Sequence, residues 1–285
     1  MGLNNMLDLL EKHGFQRLFK EKLLSHNGFE EGYNTNYNVA YAIDEEKLFK
    51  YLEKTQEKEY KKVSSKPDFK SKFIKYLREQ IKDRGLLDVF RKPVKWHGAH
   101  FDMMIAIPHN KLNPKELEKY YNNIVSVTEE LVYNPEKGTG TGGRGDLTIF
   151  VNGLPLIWIE LKSNAAGQNI NNAIKQFYND RNPEELIFRY KQGCLIYFAI
   201  DLEEVAFTTR LNKTDTYFMP YNKGNGMHKG NPDVDDDIKT SYMWHEILTK
   251  EIILEWIEKY IVNEKITEVG FDGKKKTTDK IIFPR

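Results

Sequence analysis

The sequence predicts an α/β protein: a β-β-α-β-β core behind a mainly helical N-terminal third. Three observations predict it. Apolar residues recur at about 3.6-residue spacing through much of 3–84, two β-rich apolar runs flank Asn152-Gly153, and a helical pattern over 169–181 separates these runs from a second strand pair. At 285 residues the chain can bury a full core without staples. Charged residues are 30% and hydrophobic ones 40%, which excludes a disordered chain. No run approaches the roughly 18 apolar residues of a membrane span. The N-terminus, MGLNNMLDLLEKHGF, carries acids and reads as neither a signal nor a transit peptide. Cys194 is alone, which excludes an intramolecular disulfide and a cysteine metal cluster. A cytoplasmic location is expected.

Residues 3–25 and 44–62 read as helices from their Leu/Phe recurrence. Lys66-Pro67 breaks the pattern, and 68–84 resumes it until Gly85. Strand-like pieces follow at 94–97 and 101–107, then a turn at 108–114 and a short helix at 115–122. Residues 124–133 fit either a strand or a short helix. The glycine-rich stretch NPEKGTGTGGRG, 134–145, reads as a loop. LTIFV and LPLIWIELK then surround Asn152-Gly153, a strong hairpin signal. Both runs are apolar at consecutive positions, so this hairpin is expected mid-sheet, covered on both faces. The helix over 169–181 puts Ile170, Ala173, Ile174 and Phe177 on one face, and strands at 193–200 and 205–209 follow. These elements make one domain over 1–262: a core at about 124–210, a loop-rich extension at 211–240 and a helix at 241–261. Residues 263–285 read as a linker. The closing IIFPR looks like a resuming strand, from which the natural chain is expected to continue.

Net charge is +1, from 43 basic and 42 acidic residues, which argues against an all-over nucleic-acid binder. The distribution is uneven. Residues 53–95 hold fourteen Lys/Arg against seven Asp/Glu, a net +7 that leaves −6 elsewhere. With Phe69, Phe73, Tyr76 and Phe90 interleaved, the segment bearing Lys70, Lys72 and Lys75 suits a phosphate backbone. The plainer reading of the same segment is a solvated helix face above an apolar stripe.

The loop GTGTGGRG is neither a phosphate loop nor a dinucleotide fingerprint, because it leads into a strand and lacks Lys-Ser/Thr. Chemistry is expected instead at Asp146 and at Glu160-Leu161-Lys162. Glu160 and Lys162 close an almost unbroken apolar strand, where charges are costly unless paired or bound to metal. Two residues apart in a strand, they share a face, and hairpin closure returns Asp146 beside them. Such a set can bind a divalent metal and orient a water for phosphodiester hydrolysis, or it can be a structural salt bridge. Register decides whether the set forms. A two-residue loop pairs Val151 with Leu154 and turns Asp146 away from Glu160, whereas a three-residue connection (Asn152, Gly153, Leu154) slips the register by one, pairs 151 with 155 and sets the two opposite. Pro155 lacks an N–H and Gly145 permits a bulge, so these residues allow the slip that catalysis requires. His97 and His100 have no third ligand in sight, Trp158 and Trp256 read as core, and Cys194 reads as an inert buried thiol.

Asp146-LTIFVNGLPLIWIELK resembles the endonuclease core of type I restriction enzyme R (motor) subunits: an Asp opening a strand, a phrase close to VNGLPL, then ExK. NNAIKQFYNDRNPEEL is similar to the helix that follows in that family, and TYFMPYNKGNG, GNP and SYMWHEIL resemble landmarks of one branch of it. The resemblance runs through most of the chain and is strongest over 144–246. It implies a restriction-endonuclease-like fold of the PD-(D/E)xK superfamily, a mixed β-sheet core flanked by helices. It also implies the Mg²⁺-dependent cleavage of double-stranded DNA of a type I site-specific deoxyribonuclease. Asp146 and Glu160 are then metal ligands, the Leu161 carbonyl completes the metal shell, Lys162 orients the attacking water, and Gln176 is the Gln of QxxxY.

Two positions depart from the family pattern. Gly145 stands in place of a Pro that stiffens the strand start, and Asp180 stands in place of the Tyr of QxxxY, with Tyr178 or Arg181 as substitutes. Arg144, Tyr178 and Arg181 join the three lysines as candidate DNA contacts. For a supporting N-terminal acid the sequence points only to Glu21 or Glu30. The resemblance further implies an ATP-driven helicase motor in the full subunit, none of whose nucleotide motifs lies in these residues, with modification and specificity subunits as partners. The alternatives are a catalytically silent nuclease fold that binds DNA or docks, and a free-standing nuclease.

Overall fold

The computed structural model describes residues 13–108, 112–137, 143–163, 167–269 and 275–283. The start of the first expected helix and residues 138–142 of the glycine-rich loop lie outside them. α1 (Gly14–His26) leads into β1 (Glu30–Gly32) and the short pair β2 (Tyr37–Asn38) and β3 (Ile43–Asp44). The helix expected over 44–62 is two, α2 (Glu45–Thr55) and α3 (Glu57–Lys61), because the backbone of Gln56 leaves the helical region between them. α4 (Phe69–Arg84) ends at Gly85, which has positive φ, and α5 (Leu86–Arg91) follows. β4 (Val94–Trp96) and β5 (Ala99–Phe101) pair as a hairpin that stops short of the expected 101–107, and His97 and His100 lie exposed on it. α6 (Pro114–Tyr121) completes the helical part.

The main sheet begins with β6 (Val125–Val132), which settles 124–133 as a strand. β7 (Arg144–Val151), β8 (Leu154–Leu161), α7 (Ile170–Asp180), β9 (Ile196–Ile200), β10 (Val205–Thr208) and β11 (Met219–Pro220) follow. The seven strands lie in the order β1-β6-β7-β8-β9-β10-β11. β1–β6 and β8–β9 are parallel and the other pairs antiparallel. This is a mixed sheet flanked by helices, consistent with a restriction-endonuclease-like fold. Every residue of β8 is buried, as its unbroken apolar pattern predicts. Leu147, Ile149, Ile157 and Ile159 pack into the core shared with the N-terminal helices. Phe150, Trp158 and Tyr197 pack with Ile170, Ala173 and Phe177 of α7.

Asn152 and Gly153 both have positive φ, 50° and 81°, and make a two-residue turn that pairs Val151 with Leu154. Buried hydrogen bonds pin this turn. Asn152 Nδ2 donates to the Met103 carbonyl and to Asn123 Oδ1, each at 2.9 Å. A Cβ at 153 would lie 2.4 Å from the Asp44 carbonyl, so only glycine fits. Such a tight turn alone would aim Asp146 at the wrong face. β8 corrects it with an extra residue: Ile149 pairs with Ile157 but Phe150 with Pro155, so Leu156 bulges. Beyond the bulge Leu147 opposes Ile159, which brings Asp146 opposite Glu160. The slip is made at Leu156, beside Pro155, and not by a longer loop.

Two C-terminal expectations are corrected. The helix expected over 241–261 is interrupted, with π-helical turns at Met243–Ile247 and Trp256–Tyr260 on either side of α8 (Lys250–Glu255). Thr249 adopts extended backbone and its side chain accepts from the Ile252 N–H, which restarts the helix. The span expected as a linker is instead a hairpin, β12 (Val262–Val269) with β13 (Lys275–Ile282). Its end is docked on the core. Phe283 meets Trp256 edge-to-face at 4.5 Å, and the Ile281 N–H donates to Tyr190 Oη at 2.8 Å. Among the described residues no helix is long and apolar enough to cross a membrane.

Candidate functional site

Asp146, Leu161, Lys162 and Gln176 line one cleft of about 580 Å³. β7 supplies Asp146, and the end of β8 supplies Leu161 and Lys162. α7 turns its apolar face to the sheet, so Asn172, Lys175, Gln176 and Asn179 fall on the cleft side. The helix starts where it does because Asn169 forms a capping box with Asn172, and Asp201 Oδ2 accepts from the Ile170 N–H at 2.8 Å. His13, Phe15 and Gln16, at the start of α1, line the cleft with Glu130 and Arg144.

Asp146 Oδ2 accepts from the Leu161 N–H at 2.7 Å and lies 3.6 Å from Lys162 Nζ. Glu160 is set behind the cleft, its side chain 0% exposed. Its Oε1 accepts from Trp158 Nε1 at 2.6 Å and from Arg181 Nε at 2.7 Å. Its Oε2 is buried with no hydrogen-bond partner among the described residues. Burial first, and the Glu160 carboxylate second, push Asp146 up to about 7. Lys162 and the Leu161 N–H pull the other way without offsetting them. The neighbouring Gly145 has a steric cause, since a Cβ there would lie 1.8 Å from Cζ2 of Trp158. A proline at 145 would drive its Cβ into that ring, so the departure from the expected Pro matches the large tryptophan packed against it.

A family model described as the type I restriction enzyme R protein N terminus matches residues 6–216. The chain belongs to that family. No curated protein and no solved structure matches it.

Within this R-protein N-terminal region the other predicted site residues separate. Arg144 lines the cleft with its Nη1 2.8 Å from Glu130 Oε2. Tyr178 packs against Phe218 and does not line the cleft. Arg181, expected as a DNA contact, is corrected by its burial: its side chain is 0% exposed and tied to Glu160, beyond the reach of a phosphate. Lys70, Lys72 and Lys75 are exposed on α4, but none lines the cleft. Lys70 lies over the Phe49 ring at 5.0 Å and Lys72 lies 3.6 Å from Asp68. Neither expected N-terminal acid lines it either. Glu30 pairs with Lys47 and Lys50, and Glu21 is exposed on α1.

Sequence reasoning missed Gln16 and Glu130. Gln16 Nε2 donates to the Asp146 carbonyl at 3.3 Å and to Glu129 Oε1 at 3.1 Å, tying α1 to β6 and β7. Glu130 has φ +48° and lies across from Asp146, between the pairs Glu129–Leu147 and Leu131–Gly145. Neither carries a local signal, because both positions are set by pairing across more than a hundred residues or by a single strained backbone angle.

Proposed function

We propose that this cleft hydrolyses phosphodiester bonds of double-stranded DNA with a bound Mg²⁺, as the endonuclease part of a type I R subunit. In the full enzyme it would work with modification and specificity subunits, and ATP would serve only the motor. The observation that carries this reading is the Leu156 bulge, which sets Asp146 opposite Glu160 with Lys162 alongside. The donors suit a hard divalent cation: the Asp146 carboxylate, the Leu161 carbonyl and Glu160 Oε2, which is buried without a partner among the described residues. The protein ligands would be Asp146, Glu160 and the Leu161 carbonyl, although among the described residues no three His, Cys, Asp or Glu converge.

When bound, Mg²⁺ supplies Lewis-acid activation of a water and of the phosphate. The rest falls to the chain itself. The Leu161 N–H fixes the Asp146 carboxylate by holding Oδ2. Lys162, 14% exposed and held beside Asp146, orients the attacking water and stabilises charge that grows on the phosphate. Gln176, Lys175 and Asn179 on α7 offer polar contacts to the DNA backbone. One observation favours the silent-module alternative, namely that Glu160 is already paired with Arg181.

Calorimetric titration of Mg²⁺ or Mn²⁺ separates the two readings. A nuclease site gives a weak binding isotherm that Asp146→Ala abolishes; unchanged binding in that variant would leave the cleft without a metal. The isotherm should also depend on pH. Asp146 holds its proton up to about pH 7, and a proton and a cation compete for the same carboxylate. Apparent affinity should therefore rise about tenfold per pH unit from 5 to 7 and level off above.

DNA affinity should fall with salt, each phosphate contact contributing a slope of roughly −0.9 in log K against log salt. Replacing Arg144 and Lys175 by Glu is expected to flatten that slope, because both line the cleft. The triple change of Lys70, Lys72 and Lys75 to Glu should leave it near the wild-type value. Fluorescence anisotropy of a labelled duplex across a salt series measures both, and the reverse pattern would place the DNA along α4.

A further inference from the structure

Arg181 takes no part in the steps above, yet it is one of the largest fully buried side chains of the protein. Its Nε donates to Glu160 Oε1 at 2.7 Å and its Nη1 to Tyr133 Oη at 3.4 Å. The guanidinium lies 5.6 Å from the Trp158 ring centroid and 5.7 Å from that of Tyr133. Burying such a cation is costly unless an anion offsets it, and Glu160 is that anion. Each carboxylate of the site then has a cation beside it. Asp146 and Glu160 oppose each other across β7 and β8, with Lys162 beside the first and Arg181 beside the second. Two facing carboxylates without cations repel, and a divalent ion in the cleft would supply the same relief.

We propose that Arg181 is a resident countercharge for Glu160: a positioning residue that keeps the two carboxylates assembled without a divalent cation and lowers the affinity of the site for one. This rests on the nuclease reading above. Arg181 and Trp158 hold only Oε1, so one oxygen of Glu160 stays tied while the other, Oε2, keeps its capacity to accept. A purely structural arginine would lend stability that is indifferent to Mg²⁺. A countercharge is replaceable by Mg²⁺, and the two roles part there.

The test compares wild type, Arg181→Gln and Arg181→Lys by thermal unfolding in chelator and in millimolar Mg²⁺, and by calorimetric Mg²⁺ titration. Wild type is expected to melt at nearly the same temperature in both solutions. Arg181→Gln should melt lower in chelator, recover in Mg²⁺, and bind Mg²⁺ several-fold more tightly; Arg181→Lys, which keeps the charge but not the guanidinium's packing, should melt at the same temperature in both solutions and bind Mg²⁺ no more tightly than wild type. If Arg181→Gln does not fold in chelator, its refolding yield is the readout, and recovery by Mg²⁺ supports the proposal. A variant that ignores Mg²⁺ in both stability and yield, or binds it no more tightly than wild type, overturns it. Absence of any Mg²⁺ site in wild type would instead overturn the nuclease reading itself.

Discussion

Replacing Asp146 by Asn, or Lys162 by Ala, is expected to lower DNA cleavage by at least about 10²- to 10³-fold, the loss seen when one preorganised charge-stabilising group is removed from an active site. The Asp146→Asn change keeps an oxygen that can accept from the Leu161 N–H, so the fold should survive while the charge that attracts a cation is lost. The Lys162→Ala change removes the ammonium 3.6 Å from that carboxylate, and with it the group proposed to orient water and to meet charge on the phosphate. The measurement is plasmid cleavage with Mg²⁺ and ATP by the assembled restriction complex carrying each variant, with DNA binding followed in parallel. Binding should persist. Cleavage at wild-type rates in both variants would leave the cleft a DNA-binding surface and favour the silent module.

The largest stability effect should come from Glu160→Ala. Removing one member of a fully buried ion pair leaves the other uncompensated, which typically costs about 3–5 kcal/mol. Here the stranded group would be Arg181, whose side chain is 0% exposed. Trp158 Nε1 would lose its acceptor as well. Asp146→Asn should behave oppositely and cost little, because burial already works against the ionised form of Asp146. Urea unfolding of the two variants side by side checks the contrast. Equal and small losses would show that the Glu160–Arg181 pair does not hold the sheet face together.

Local pattern carried far in this chain. The Asn-Gly turn, the consecutive apolar runs of β7 and β8 and the one-sided apolar face of α7 are short-range properties, and the structure reproduces each of them. Composition alone could not separate strand from helix at β6, because a short apolar run fits both until its partners are known. The interrupted helix near Thr249 and the docked C-terminal hairpin were equally out of reach. A cap at 249 and an anchor at Phe283 matter only once Trp256 and Tyr190 are in place.

The same division runs through the site. The candidate residues were already readable along the chain: Asp146, Glu160 and Lys162 are charges at the ends of apolar strands, and the phrase around them resembles the family's. That Asp146 and Glu160 meet was left to the packed sheet, because strand register depends on one bulged residue and a single slip reverses every side chain. Packing also assigned Arg181 to Glu160 and not to DNA, and brought Gln16 and Glu130 into the cleft. Whether a charge is buried against another depends on how distant segments pack, and no local pattern encodes that.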